Sequence, residues 1–135
     1  MKKLLPLLLV CLCSLPVLSR AADKKPAVPS FMSEKDANKK QPPTLDPSKF
    51  TDPQAVRAYK AAQQIPHILA QQPCYCWCSR GEGHRGLLDC YIGTHAEHCG
   101  VCQKEALLAL KMHKEGKSAA EIRTAIENNA WVHAE

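Results

Sequence analysis

Residues 51–73 read TDPQAVRAYKAAQQIPHILAQQP, and the spacing of their apolar side chains decides the fold. Thr51 or Asp52 followed by Pro53 is a helix start, because proline at the first helical position gives up an amide that had no partner there. Ala55, Ala58, Ala62, Ile65 and Leu69 then recur at intervals of three and four, and Val56, Tyr59 and Ile68 widen the stripe into a face that must pack on something. Pro66 removes the amide that would bond the Ala62 carbonyl, so the helix kinks or restarts at that point. Pro73 ends it.

Downstream, two further helices are expected. Thr94 with Glu97 three residues later has the form of a capping box, which predicts a helix to about Lys114 that stops at Gly116. Ser118 with Glu121 repeats the pattern and opens a third helix through Ile122, Ala125 and Ile126 to about Asn129. Leu107, Leu108, Leu110 and Met112 are core by default. Between the first two helices, residues 74–93 hold three glycines before Leu87 and no helical period, which reads as a loop with one short apolar group at Leu87, Leu88, Tyr91 and Ile92. The fold class is therefore all-α: a small three-helix domain over residues 51–135 with a cysteine-rich loop.

Upstream, residues 22–50 carry Pro26, Pro29, Pro42, Pro43 and Pro47 among lysines and acids, with almost no apolar periodicity, and are expected to form a disordered linker. Residues 1–21 have the layout of a signal peptide. Lys2 and Lys3 precede an uncharged, leucine-rich stretch from Leu4 to Ser19, and Ser19 with Ala21 suits cleavage after Ala21. Pro6, Ser14 and Pro16 interrupt that stretch, which falls short of the roughly 18–20 apolar residues a membrane span needs. Val10 fits poorly before a lipidated Cys11. The expectation is an exported protein, periplasmic or extracellular, with no stable membrane span after processing.

Removing residues 1–21 takes away Lys2, Lys3 and Arg20 and lowers the formal charge from +5 to +2. With few aromatic residues and no basic stripe, a nucleic-acid partner is not indicated. Cys11 and Cys13 leave with the signal, so six of the eight cysteines remain, in an oxidising or metal-exchanging compartment. A helical domain of about 80 residues buries only around 60% or slightly more of its unfolded surface, a deficit that cross-links or a metal commonly make up.

The chemistry is concentrated between residues 74 and 102. Cys74, Cys76, Cys78, His84, Cys90, His95, His98, Cys99 and Cys102 place nine candidate metal ligands within 29 residues. On a helix opened at Thr94, His95, His98, Cys99 and Cys102 fall at i, i+3, i+4 and i+7 and share one face, with Ala106 and Ala109 beyond them small enough to admit the loop that bears the alternating thiols. Thiolates and imidazoles suit a soft transition metal such as zinc or copper, and Cys99 with Cys102 has the spacing of a common zinc half-site. The site expected is one where Cys74, Cys76, Cys78 and Cys90 meet His98, Cys99 and Cys102 around an ion, for metal handling or sequestration.

Two alternatives stay open. Six cysteines in an exported domain can form three disulfides, in any of 15 connectivities, and staple an interaction module. Cys99 and Cys102 can also be read as a thiol-disulfide pair, with Cys99 in the first turns of a helix where its thiolate is favoured, although the strand-helix-strand context of a thioredoxin fold is missing. His67, His113 and His133 are expected at the surface, Asp89 in a turn, and Tyr75 and Trp77 against the helices, shielding the sulfurs. No Ser/His/Asp set, catalytic carboxylate pair or phosphate-binding glycine loop is evident, so binding is expected rather than catalysis.

Ile65-Pro66-His67-Ile68-Leu69, Pro73-Cys74-Tyr75-Cys76-Trp77-Cys78, Gly83-His84, Leu88-Asp89-Cys90-Tyr91 and Cys99-Gly100-Val101-Cys102 together resemble the PCYCGC-motif family, also called the CYCXC family of (seleno)proteins. The resemblance runs from about Tyr59 to Ile126 and includes Gly116-Lys117-Ser118 and Glu121-Ile122-Arg123. It implies an exported protein or lipoprotein, and the selenocysteine of some members implies redox or soft-metal chemistry. Trp77 stands where the name-giving glycine would be, so a turn needing positive φ is not expected there.

Overall fold

Asp52 caps the first long helix as its position before Pro53 requires, its carboxylate accepting the amides of Gln54 and Ala55. The computed structural model describes residues 27–134. In chain order its helices are α1 (Glu34–Ala37), α2 (Pro53–Gln64), α3 (Pro66–Ala70), α4 (Cys78–Gly81), α5 (Gly100–Lys114) and α6 (Ala119–Glu127), with short 3-10 turns between them and no strand among the described residues. The all-α expectation holds, and among the described residues no helix is long and apolar enough to cross a membrane. The signal-peptide reading, on residues 1–21, lies outside the described residues.

Helix α2 buries Ala55, Ala58, Tyr59, Ala61 and Ala62 against α5, whose facing residues Ala106 and Ala109 are equally small. Alanine on both sides lets two backbones approach closely. At Ile65 the backbone leaves the helical region (φ −131°, ψ 48°), and Pro66 restarts the chain as α3. Gly116 (φ 80°) closes α5 in a Schellman motif, the amides of Gly116 and Lys117 bonding the carbonyls of His113 and Met112. The capping box at Ser118 and Glu121 forms in full and starts α6.

Three expectations are corrected. The helix predicted from Thr94 begins at Gly100 instead. Thr94 makes no side-chain cap, residues His95–Glu97 form one 3-10 turn, and Cys99 is extended (φ −115°, ψ 97°). Gln103 explains the break: its amide donates to the carbonyls of Ala96 and Glu97, folding that turn back onto α5 rather than letting it continue the axis.

The loop reading of residues 74–93 gives way in part to α4 and a 3-10 turn, Leu87–Tyr91, which buries Leu87, Leu88, Cys90 and Tyr91 in the core. Gly86 makes this possible. A Cβ there would lie 2.6 Å from the Ala70 carbonyl oxygen, so the chain passes the end of α3 at a distance only glycine allows, and Leu87 N–H bonds the Gln72 carbonyl.

Packing also begins well before Thr51. Within the stretch expected to be a linker, residues 27–50 lie along the helices: Met32, Ala37, Pro47 and Phe50 are buried, Met32 N–H bonds the Ala70 carbonyl, and Leu45 N–H bonds the Tyr91 carbonyl. Phe50 packs on Tyr59 (centroids 4.1 Å), which meets Tyr91 edge-on at 5.0 Å. These anchors stand too far apart to form a periodic pattern, and the intervening prolines stiffen an extended strap rather than a free coil.

Candidate metal centre

Five segments supply the donors. The chain leaves α3 at Pro73 and turns through Cys74–Cys78, with Trp77 N–H bonding the Cys74 carbonyl. Trp77 itself adopts the left-handed conformation (φ 62°, ψ 23°), contrary to the expectation for a residue with a large side chain. That geometry costs a non-glycine residue about 1–2 kcal/mol. Arg80 stacks over the Trp77 ring at 3.9 Å, Tyr75 meets it edge-on at 6.1 Å, and both aromatic residues are half-buried. Cys78 opens α4, Cys90 sits in the buried 3-10 turn, His95 lies in the next one, Cys99 caps α5 and Cys102 occupies its first turn.

All six described cysteines are unbridged thiols, and they converge. Cys74 Sγ lies 3.3 Å from both Cys76 Sγ and Cys102 Sγ, Cys76 Sγ is 3.6 Å from Cys102 Sγ and 3.5 Å from His95 Nε2, and Cys78 Sγ is 3.4 Å from Cys90 Sγ. A tetrahedral ion with metal–sulfur bonds of about 2.3 Å has sulfur–sulfur edges of roughly 3.8 Å, so these separations need only a slight opening to admit one. The donors fall into two groups, each with its ligand atoms within 4.8 Å of one another: Cys76, His95, Cys99 and Cys102, and Cys74, Cys78 and Cys90.

Of the remaining expected ligands, His84 stands beside the second group, its Nδ1 3.3 Å from Cys90 Sγ. His98 is not brought to the site: its side chain is 83% exposed and faces the Glu97 carboxylate at 3.6 Å. The break before Gly100 takes His98 off the face that carries Cys102, while the 3-10 turn still brings His95 to Cys76. His67, His113 and His133 are exposed, as expected, although His67 Nδ1 donates to the Ala37 carbonyl. Asp89 caps its turn, accepting the Arg85 amide and a bidentate guanidinium.

Crowding polarises the thiols. Cys76 is held far below the ordinary thiol range because Cys102 and Cys74 both donate to it, and Cys78 is held down by Cys74 and Cys90. Cys74, hydrogen-bonded to Cys102 and Cys76, is pushed up. A thiolate is the form that ligates, so the neighbouring donors push Cys76 and Cys78 toward the ligating form.

Glu105 is the residue the sequence reading missed. One turn beyond Cys102 on α5, it is fully buried, its Oε1 accepts the Tyr75 amide at 2.8 Å, and its Oε2 has no partner. Burial pushes its carboxyl up to about 8. Its position between Cys102 and Ala106, in a stripe of small residues, was the available signal. Tyr91 closes the centre from below by donating to the Cys102 carbonyl at 2.7 Å, and Tyr59 fixes the next turn through the Gly93 carbonyl at 2.7 Å.

The model of a family described as protein of unknown function with PCYCGC motif matches residues 7–131. The chain belongs to the PCYCGC-motif family. No curated protein and no solved structure matches it. In this PCYCGC-family chain the motif residues Cys74, Cys76 and Cys78 do not serve a single group: Cys76 joins the helix-borne ligands, while Cys74 and Cys78 join Cys90. Clustered thiols and imidazole within ligand distance can hold a metal ion.

Proposed function

We propose that this protein is an exported soft-metal-binding protein, taking Zn(II) or Cu(I) on its clustered thiolates and imidazoles for handling or sequestration. The observation that carries the reading is the convergence of six thiols and His95 from separate segments into two groups of ligand spacing. A sulfur-rich donor set with little oxygen selects soft ions over Mg(II) or Ca(II). The half-exposed Cys76, His95 and Cys99 give an ion a route in from solvent. Export rests on the amino-terminal pattern of residues 1–21 and is tested by the mass of the mature chain, which should begin at Ala22.

Native mass spectrometry with parallel thiol counting on protein from its own compartment tests the function. Bound metal with the thiols unoxidised is the expected result. A metal-free chain lighter by about six hydrogens would mean three disulfides and would reject the proposal in favour of the stapled module.

A further inference from the structure

The donor set is too large for one ion. Structural zinc takes four ligands, as a rule, whereas six thiols, His95 and His84 all stand in or beside the two groups. The division into groups follows the fold. Cys76, His95, Cys99 and Cys102 come together at the start of α5, and Cys74, Cys78 and Cys90 come together beneath α4, with His84 against Cys90. The two imidazole rings meet edge to face with centroids 5.1 Å apart, one attached to each group. The groups also touch, since Cys74 Sγ lies 3.3 Å from Cys76 Sγ and from Cys102 Sγ.

Their exposure differs. Cys74, Cys78 and Cys90 are 3%, 6% and 0% exposed, whereas Cys76, His95 and Cys99 are all half-exposed and only Cys102 of that group is buried. Exchange of a thiolate-bound ion with an outside ligand proceeds through attack by that ligand, which needs a path to the ion.

We infer that the centre binds two ions at inequivalent sites: an exchangeable outer ion on Cys76, His95, Cys99 and Cys102, and a retained inner ion on Cys74, Cys78, Cys90 and His84. This rests on the metal-binding reading above and adds to it a stoichiometry and a division of labour. The inner ion completes the fold, and the outer ion is the one transferred to a thiol- or imidazole-bearing acceptor.

The test uses the full mature chain loaded with Zn(II), then challenged with a chromophoric chelator. Native mass spectrometry should show two zinc ions, and the chelator should remove them in two phases of equal amplitude. Cys99→Ser and His95→Ala should each abolish the fast phase and lower the stoichiometry to one while the slow phase persists. Saturation of the wild type at one ion, or release of two ions in one phase, overturns the inference and leaves the proposed function standing. Failure to bind either Zn(II) or Cu(I) overturns both. Loss of the slow phase in Cys99→Ser also rejects the assignment. Should the variants fail to fold, Co(II) titration of the wild type decides: the thiolate-to-cobalt absorbance should change slope at one equivalent and level off at two, and an end point at one equivalent overturns the inference.

Discussion

Tyr91 donates its hydroxyl hydrogen to the carbonyl oxygen of Cys102 at 2.7 Å, tying the turn that carries Cys90 to the helix that carries Cys102. Beside it, the Tyr75 amide joins the Cys74–Cys78 turn to the same helix through Glu105. Tyr91→Phe keeps the ring against Tyr59 and removes only the bond to Cys102, which should destabilise the protein by about 1–2 kcal/mol. Urea unfolding of the metal-free chain measures that loss. Weaker zinc retention in chelator competition should accompany it, because the Cys90 turn is then held less firmly to the helix bearing Cys102.

Glu105 predicts a pH dependence of known sign. Its folded-state carboxyl, raised by burial to about 8, lies above its ordinary value of 4.5. The folded chain thus holds a proton that the unfolded chain releases, and Glu105 penalises folding progressively as pH rises from 4.5 through about 8. Glu105→Gln keeps an oxygen for the Tyr75 amide and removes the titration. The wild type should lose stability relative to this variant by at most ~1.4 kcal/mol per pH unit across that window, and a constant difference between pH 5.5 and pH 8.5 in metal-free urea unfolding would refute it.

Much of the fold was readable because its helix boundaries are written in local chemistry. Asp52-Pro53, Ser118 with Glu121, and Gly116 each act within a few residues, and each performs as its type demands. Thr94 and Glu97 misled for the complementary reason: the pair has the right letters, but Gln103 captures the backbone that a longer helix would have used. The strap escaped because Met32, Leu45 and Phe50 pack one at a time, at irregular spacing, against residues of the helical domain and not against one another. At the centre, the residue types announced soft-metal chemistry, but spacing alone could not sort the donors. The division into two groups depends on the bend at Cys99 and on the turn at Trp77, which are tertiary facts.

Gly86→Ala should be costly. The added Cβ meets a backbone oxygen at 2.6 Å, which no side-chain rotation can relieve, so either α3 or the Cys90 turn must move. A loss of about 1–3 kcal/mol in urea unfolding is expected. The charge-transfer spectrum of the Co(II)-loaded variant should change as well, since the displaced turn holds Cys90.

Trp77 separates backbone strain from side-chain packing. Trp77→Gly removes the penalty of a positive φ but forfeits the Arg80 stacking, worth about 0.5–1 kcal/mol at an exposed site, so stability should change little. Trp77→Val forfeits the stacking and keeps a side chain poorly suited to that conformation. The valine variant should be less stable than the glycine variant by more than ~1 kcal/mol in thermal or urea unfolding, and equal stabilities would show that the turn relaxes.

Ser30 bonds the His84 carbonyl, and Leu45 bonds that of Tyr91, so the amino-terminal strap is fastened at both ends of the loop beneath the inner ligands. Tension applied to that strap is therefore transmitted to His84 and Tyr91 as well as, through Met32, to the end of α3. Whatever pulls on, crowds or cleaves residues 30–45 acts as a lever on the grip around the sulfur atoms, and a chain shortened to Thr51 would surrender that grip along with the Phe50 side of its aromatic stack.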